Sequence, residues 1–405
     1  MKKGFLLVFL LLASIMTTGL AEGAMDEGKF TELCRTGTPQ AVKAAIVGGG
    51  DVKGRDWGPP LAAAADNPNV QVFSVLLAHG AKVSPELLVN VAGKEHPKKK
   101  EAFAILLKDG GDINATFGEN GLKRSPLLSA AGAKIPDLKF IAYLLENGAN
   151  VNARVEEDPD YETSDGPPDR IESGWTALMY AAGAVSPDPA FVDLLLKNGA
   201  DVNPKDVYMG TTPLMAALSN RYHATPWTAR SPRLVNMEVV ALLLKSGAEV
   251  NARDEDGVTP LSYAADNSAE AVSLLLKNGA DVNARSENGS TPLMSAVEGN
   301  YIPNAEDGGF GSNLEMVRLM LESGAEVDAK DDLGRTALMF AAEGRYGPES
   351  RSGVSDPDLV SLLLEKGANA QLTDNEGKTA LGYAAENLKD TDVYKLLGEP
   401  ITGNS

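Results

Sequence analysis

The sequence predicts an all-α fold, a solenoid of stacked helix-turn-helix units, and three observations carry that prediction. The phrase LLxxGAxVN recurs along the chain, its glycine falling at 49, 80, 110, 148, 199, 247, 279, 324 and 367. A second phrase, Thr-Pro-Leu or Thr-Ala-Leu, begins at Thr176, Thr212, Thr259, Thr291, Thr336 and Thr379 and precedes the next LL phrase. A repeat of this length marks stacked supersecondary units. Finally, the apolar stripe of one such unit is too small to offset the entropy of ordering it, so each unit has to bury its faces against neighbours.

Taken in chain order, the first 21 residues, MKKGFLLVFLLLASIMTTGLA, combine two lysines, an apolar run from Phe5 to Met16 and small residues at Gly19 and Ala21. That layout reads as a secretory signal peptide cleaved between Ala21 and Glu22, with a retained membrane anchor as the alternative. The run is shorter than the ~18 residues a spanning helix needs. Cys34 lies too far downstream for a lipid-attachment box. The chain therefore reads as exported, to the periplasm or beyond, with no further membrane contact. A single cysteine, Cys34 in the apolar segment FTELC, excludes an intrachain disulfide, and stability has to come from packing.

The uninterrupted copy GVTPLSYAADNSAEAVSLLLKNGADVNARSEN, Gly257 to Asn288, shows the local logic. Thr259 is a natural N-cap and Pro260 a natural first helical residue. Leu261, Ala264 and Ala265 share one side of that helix, and Ala271, Leu274, Leu275 and Leu276 form the stripe of a second. Gly279 ends the second helix, where a left-handed residue is needed. ADVNARSENG is a turn-rich connector.

Gly-x-Thr-Pro-Leu-x-x-Ala-Ala followed by LLLxxGADVNA resembles the ankyrin repeat, in nine or ten copies from about residue 28 to the C-terminus. The resemblance implies antiparallel helix pairs with hairpin-like fingers, and a concave binding face made of fingers and first helices. Residues 22–56 and 377–405 are expected to be polar capping repeats, with 57–376 the repeats between them. The usual histidine after Thr-Pro-Leu is replaced by Met179, Met215, Met294, Met339, Ser262 or Gly382. Finger fixing is therefore expected to rely more on packing. Tyr180, Tyr263, Phe340 and Tyr383 are expected in the core between helices. Residues 85–110 are degenerate, and the finger before them is shortened.

Interruptions fall between the two helices of a unit, at 219–235, 299–313 and 343–357, and are expected to line up as a ledge opposite the fingers. The segment SNRYHATPWTARSPR holds Arg221, Tyr222, Trp227, Arg230 and Arg233 without an acidic residue. Tyr222, Tyr301 and Tyr346 each lie eight residues after their Thr-x-Leu leucine, with a proline close behind. Two readings stand: each tyrosine anchors its own loop, or the row is a set of rigid aromatic contacts for a partner. On the fingers, the candidate contacts are Trp175, Tyr208, Arg253, Arg285, Lys330 and Arg335, in stretches where Glu255, Glu287 and Asp332 alternate the sign. A separate insertion, the acidic finger 154–174, has spacing that matches no calcium loop.

The net charge of −19, or −21 without the leader lysines, repels nucleic acid and anionic lipid. None of the three histidines pairs at metal-ligand spacing, and there is no nucleophile elbow or phosphate loop. No cofactor, metal site or catalytic set is expected. The expected function is a monomeric, non-enzymatic scaffold binding a protein partner through its concave face and fingers and through the insertion ledge, with the ledge the first-ranked contact site. An assembly or stabilising factor for an exported enzyme, or a secreted effector acting on a host protein, are the alternatives.

Overall fold

The computed structural model describes residues 25–53, 59–119, 121–157, 172–184, 186–219, 235–265, 268–298, 313–343, 357–387 and 392–398. The leader, most of the acidic finger and nearly all of each inter-helix insertion lie outside the described residues. So do Arg221, Tyr222, Trp227, Arg230, Arg233, Tyr301 and Tyr346. Twenty α-helices lie among the described residues, in two compact units divided between Arg170 and Ile171.

The first unit runs α1 (Glu27–Thr36), α2 (Pro39–Val47), α3 (Pro60–Ala63), α4 (Gln71–Ala78), α5 (Pro85–Gly93), α6 (Lys99–Lys108), α7 (Pro126–Ala131) and α8 (Leu138–Glu146). The first helices form one layer, with α1 on α3 and α5 on α7; the second helices α2, α4, α6 and α8 form the other. Phe30, Phe73, Phe103, Phe140 and Ile141 fill the space between the layers. The degenerate stretch 85–110 thus still folds as a regular helix pair. Its finger slot is nearly empty, because Ser84 caps α5 directly. Short strands are an addition to the all-α expectation: β1 (Phe117–Glu119) and β2 (Leu122–Arg124) form a hairpin finger, and β3 (Glu156–Glu157) pairs antiparallel with β2.

The second unit runs α9 (Ala177–Gly183), α10 (Pro189–Lys197), α11 (Pro213–Leu218), α12 (Met237–Lys245), α13 (Pro260–Ala265), α14 (Ala269–Lys277), α15 (Pro292–Glu298), α16 (Leu314–Glu322), α17 (Ala337–Glu343), α18 (Pro357–Glu365), α19 (Ala380–Asn387) and α20 (Asp392–Gly398). Odd-numbered helices pack in one row and even-numbered helices in a second. Each insertion falls between the helices of one pair: α11 and α12, α15 and α16, α17 and α18.

Sequence chemistry explains the boundaries. The hydroxyls of Thr176, Thr212, Thr291 and Thr379 each accept the amide of the third residue on, at 3.3 Å. At the other end Gly279 sits at φ 87°, where a β-carbon would be strained, and Ala280 donates back to the Leu275 carbonyl at 3.0 Å. All nine glycines of the recurring phrase share this conformation. The leucines Leu195, Leu243 and Leu275 are fully buried at the same place in successive second helices.

Candidate functional interface

In the second unit the fingers form a row, and three sets of hydrogen bonds tie each to the next. Backbone amides make the first. Val207 donates to the Ser173 carbonyl, Glu255 to Met209, Glu287 to Asp256, Asp332 to Asn288 and Asn375 to Leu333, all at 2.8–3.0 Å. Asparagines of the LLxxGAxVN phrase make the second. The Asn251 amide donates to the Gly279 carbonyl at 3.0 Å while its oxygen accepts the Asp281 amide at 2.8 Å. Asn203 and Asn283 repeat the pattern with Gly247 and Glu249, and with Gly324 and Glu326.

The third set uses the finger cations. Lys205 Nζ donates to the Arg253 carbonyl, Arg253 to the Arg285 carbonyl, Arg285 to the Lys330 carbonyl, and Lys330 Nζ to the Thr373 carbonyl, at 2.6–2.7 Å. Arg253, Arg285 and Lys330, candidate partner contacts in the sequence, are therefore braces between fingers. Arg335 is pinned by its own turn, its guanidinium on the Asp331 carboxylate at 2.9 Å and over the Phe340 ring at 4.2 Å.

Four of the finger turns close on a buried carboxylate, whereas in the turn from Ser286 to Ser290 the Asn288 side chain accepts the Ser290 amide at 3.1 Å. Asp206, Asp254, Asp331 and Asp374 each accept two or more backbone amides of their own turn. Here the expectation that finger fixing falls to packing is corrected. Tyr263 and Tyr383 are half-buried, not core residues, and their hydroxyls donate to Asp254 and Asp374 at 2.7 Å. These tyrosines supply a donor to the finger in a repeat that lacks the usual histidine. Where the residue is Phe340, Arg335 takes over on Asp331. Tyr180 and Phe340 are buried, as expected.

The same constellation has opposite electrostatics at two places. Burial raises the Asp254 carboxyl above the usual range, against the hydrogen bonds from Tyr263, Val258 and Asp256. At Asp374 the Tyr383 hydroxyl dominates, and with Lys378 alongside the carboxyl is held below that range. Tyr383 in turn is pushed up, by burial first and by Asp374 second.

Trp175 is a second correction. It was a candidate contact, but only 1% of its surface is exposed, and its ring meets Tyr180 edge-on at 5.1 Å between centroids. The residue before it packs tightly: a β-carbon on Gly174 would stand 2.7 Å from the Val207 nitrogen. Tyr208 does lie on the surface, 64% exposed, beside Val207 at 66%. Leu333, 60% exposed on the finger Asp331–Arg335, is a tip residue that the sequence reading passed over. Between them along the row, Glu255, Asp256, Glu287 and Asp332 are exposed and, among the described residues, make no side-chain hydrogen bond or salt bridge.

The first unit is built with other devices. Lys99, inside the lysine run, is buried; its Nζ lies 3.3 Å from the Ala92 carbonyl and 4.9 Å from the centre of the Phe140 ring. Burial lowers its pKa, with Asp137 and Glu95 acting the other way. An open cleft of about 230 Å³ is lined in part by Thr31, Arg35, Asp66 and Lys94. Both cations close on Asp66, with Lys94 at 2.6 Å and Arg35 at 3.6 Å. Cys34 is fully buried and its thiol is pushed up to about 12, so it is an inert packing residue. Among the described residues, no three His, Cys, Asp or Glu side chains gather as metal ligands, and no helix is long and apolar enough to cross a membrane.

Two family models match this chain. The model for three copies of the ankyrin repeat matches residues 229–306 and 309–403, and the single ankyrin-repeat model matches 173–207. An ankyrin repeat protein of fowlpox virus (strain NVSL) is 32% identical over 108 residues, covering 23% of this chain and 75% of the relative.

Proposed function

Because this chain belongs to the ankyrin-repeat family, whose repeats form protein–protein interaction domains, we propose that it is a non-enzymatic scaffold exported to the cell envelope. There it holds one protein partner against the finger row of its second unit. The observation that carries this reading is the triple bracing of the fingers, which leaves a pre-ordered surface and little entropy to lose on binding. Export rests on the composition of residues 1–21.

The test is capture from the native envelope extract by tagged chain 22–405, beside a variant whose 219–235 insertion is cut to the short turn of the 257–288 copy. A single protein retained at near-equal amount by both is the expected result. Loss with the trimmed, still-folded variant moves the contact to the insertion ledge. Failure of both forms to retain any protein sinks the scaffold reading. Intact mass from fractionated cells checks export, which fails if the chain stays inside the cell with residues 1–21 attached.

A further inference from the structure

The finger tips of the second unit carry exposed apolar side chains set among free carboxylates, and this combination specifies the partner. Val207 and Tyr208 stand at one tip and Leu333 at another, all more than half exposed. The carboxylates of Glu255, Asp256, Glu287 and Asp332 lie on and between those fingers. The basic side chains of the same fingers do not answer them. Lys205, Arg253, Arg285 and Lys330 donate to backbone carbonyls, and Arg335 to buried Asp331.

Charge is also unevenly shared along the chain. Residues 171–405 hold 34 acidic and 18 basic side chains, a net of −16, whereas residues 1–170 hold 22 and 19, a net of −3. Scattered apolar residues on a surface need no explanation, but three at the tips of one braced row mark a protein contact more than an ion site. The surrounding field then selects the sign of the partner, because like charges brought together cost far more than rim pairs gain.

We propose that the tip face of the second unit docks an elongated, lysine- and arginine-rich segment of a protein partner. Its apolar residues cover Val207, Tyr208 and Leu333, and its cations face Glu255, Glu287 and Asp332. The proposal rests on the scaffold reading above and names the chemistry of its partner. Nucleic acid is the wrong sign for this face, and a purely apolar partner would leave the carboxylates desolvated without a counter-charge.

The probes are two labelled synthetic peptides of 16 residues with the same leucine and tyrosine content, one lysine- and arginine-rich and one glutamate-rich. Fluorescence anisotropy is read with chain 22–405 at low and at physiological salt. Three variants accompany it. The tip variant is Glu255→Lys, Glu287→Lys and Asp332→Lys. The control is Glu238→Lys, Glu270→Lys and Glu315→Lys, an equal charge change on exposed first turns of second helices. The third is Tyr208→Ala with Leu333→Ala, and circular dichroism confirms that all three fold.

The expected result is binding of the basic peptide alone, weakened at least tenfold by the tip reversal, about tenfold by the double alanine, and less than threefold by the control. Equal weakening by tip and control reversals shows a general field and overturns the proposal, as does equal binding of the acidic peptide. A natural partner captured from extract and unaffected by the tip reversal would overturn it while leaving the scaffold reading standing.

Discussion

The two units of this chain use the same helices and different fingers. In both, paired helices stack in two layers and end on a left-handed glycine. In the second unit, buried carboxylates, asparagine bridges and cation braces recur from finger to finger in one register. In the first, one finger slot is nearly empty and another is filled by the β1–β2 hairpin. An asparagine bridge is recognisable there too, Asn114 donating to the Gly148 carbonyl at 3.1 Å and accepting the Asn150 amide at 2.8 Å. Helix packing is non-directional and tolerates substitution at conserved volume, whereas a braced finger needs a given donor at a given place.

The strongest way to break the comparison is to remove what holds the first unit together without fingers. Phe140 is fully buried, edge-on to Phe103 at 5.4 Å and beneath the Lys99 ammonium. Phe140→Ala should cost about 3–5 kcal/mol, since it deletes the ring and leaves a buried amine without its apolar cover. Urea unfolding followed by circular dichroism would register this; a loss under 1 kcal/mol would show that the first unit is loosely packed.

In the second unit the analogous blow falls on a polar group. Asp331 accepts the amides of Leu333 and Arg335 and the Arg335 guanidinium. Asp331→Ala leaves those donors without their acceptor in a shielded turn, at a cost of about 2–3 kcal/mol. The accompanying readout is faster amide exchange at Leu333 and Arg335. A stability loss with their protection unchanged would refute the role given to Asp331.

These two residues also show what was legible in the sequence. The helix pairs, their caps and all nine terminal glycines followed from period and capping chemistry. Trp175 was misplaced because a tryptophan in a turn looks the same whether or not a tyrosine ring closes over it; here Tyr180 does. Arg253, Arg285 and Lys330 were read as contacts because a sequence shows a charge but not the neighbouring carbonyl that takes it. The tyrosine–aspartate bonds were within reach. Tyr263 lies nine residues after Asp254 and Tyr383 nine after Asp374, a recurring offset between a buried acceptor and a phenol.

That recurring pair gives a subtler comparison, inside the second unit. The Asp374 carboxyl lies below its unfolded value near 3.9, so it adds stability above that pH, and the gain disappears as pH falls through the folded value. The Asp254 carboxyl lies above its unfolded value. Its folded state binds the proton more tightly, and stability falls as pH rises through the window just above about 4. Asp374→Asn should therefore cost more at pH 7 than at pH 3, and Asp254→Asn less at pH 7 than at pH 3. Urea midpoints at the two pH values decide this, and a shift of the same sign for both variants would refute it.

The smallest predicted effect is a gain. Successive copies place Asn203, Asn251 and Asn283 at the bridging position, but the next places Asp328 there. The Asp328 carboxylate accepts the Asn369 amide at 2.9 Å, which reproduces the acceptor half of the bridge. It has no N–H to offer Gly367, the residue whose counterparts Gly247, Gly279 and Gly324 receive the donor half. Asp328→Asn should complete the bridge and stabilise the second unit by about 0.5–1 kcal/mol, the net value of one partly exposed hydrogen bond. Because it removes a negative charge from an acidic unit, the gain has to be measured in high salt as well, where charge relief fades and the new bond remains. A gain that vanishes in salt would mean that the asparagines are spacers, and that the cations and backbone amides alone hold the fingers in line.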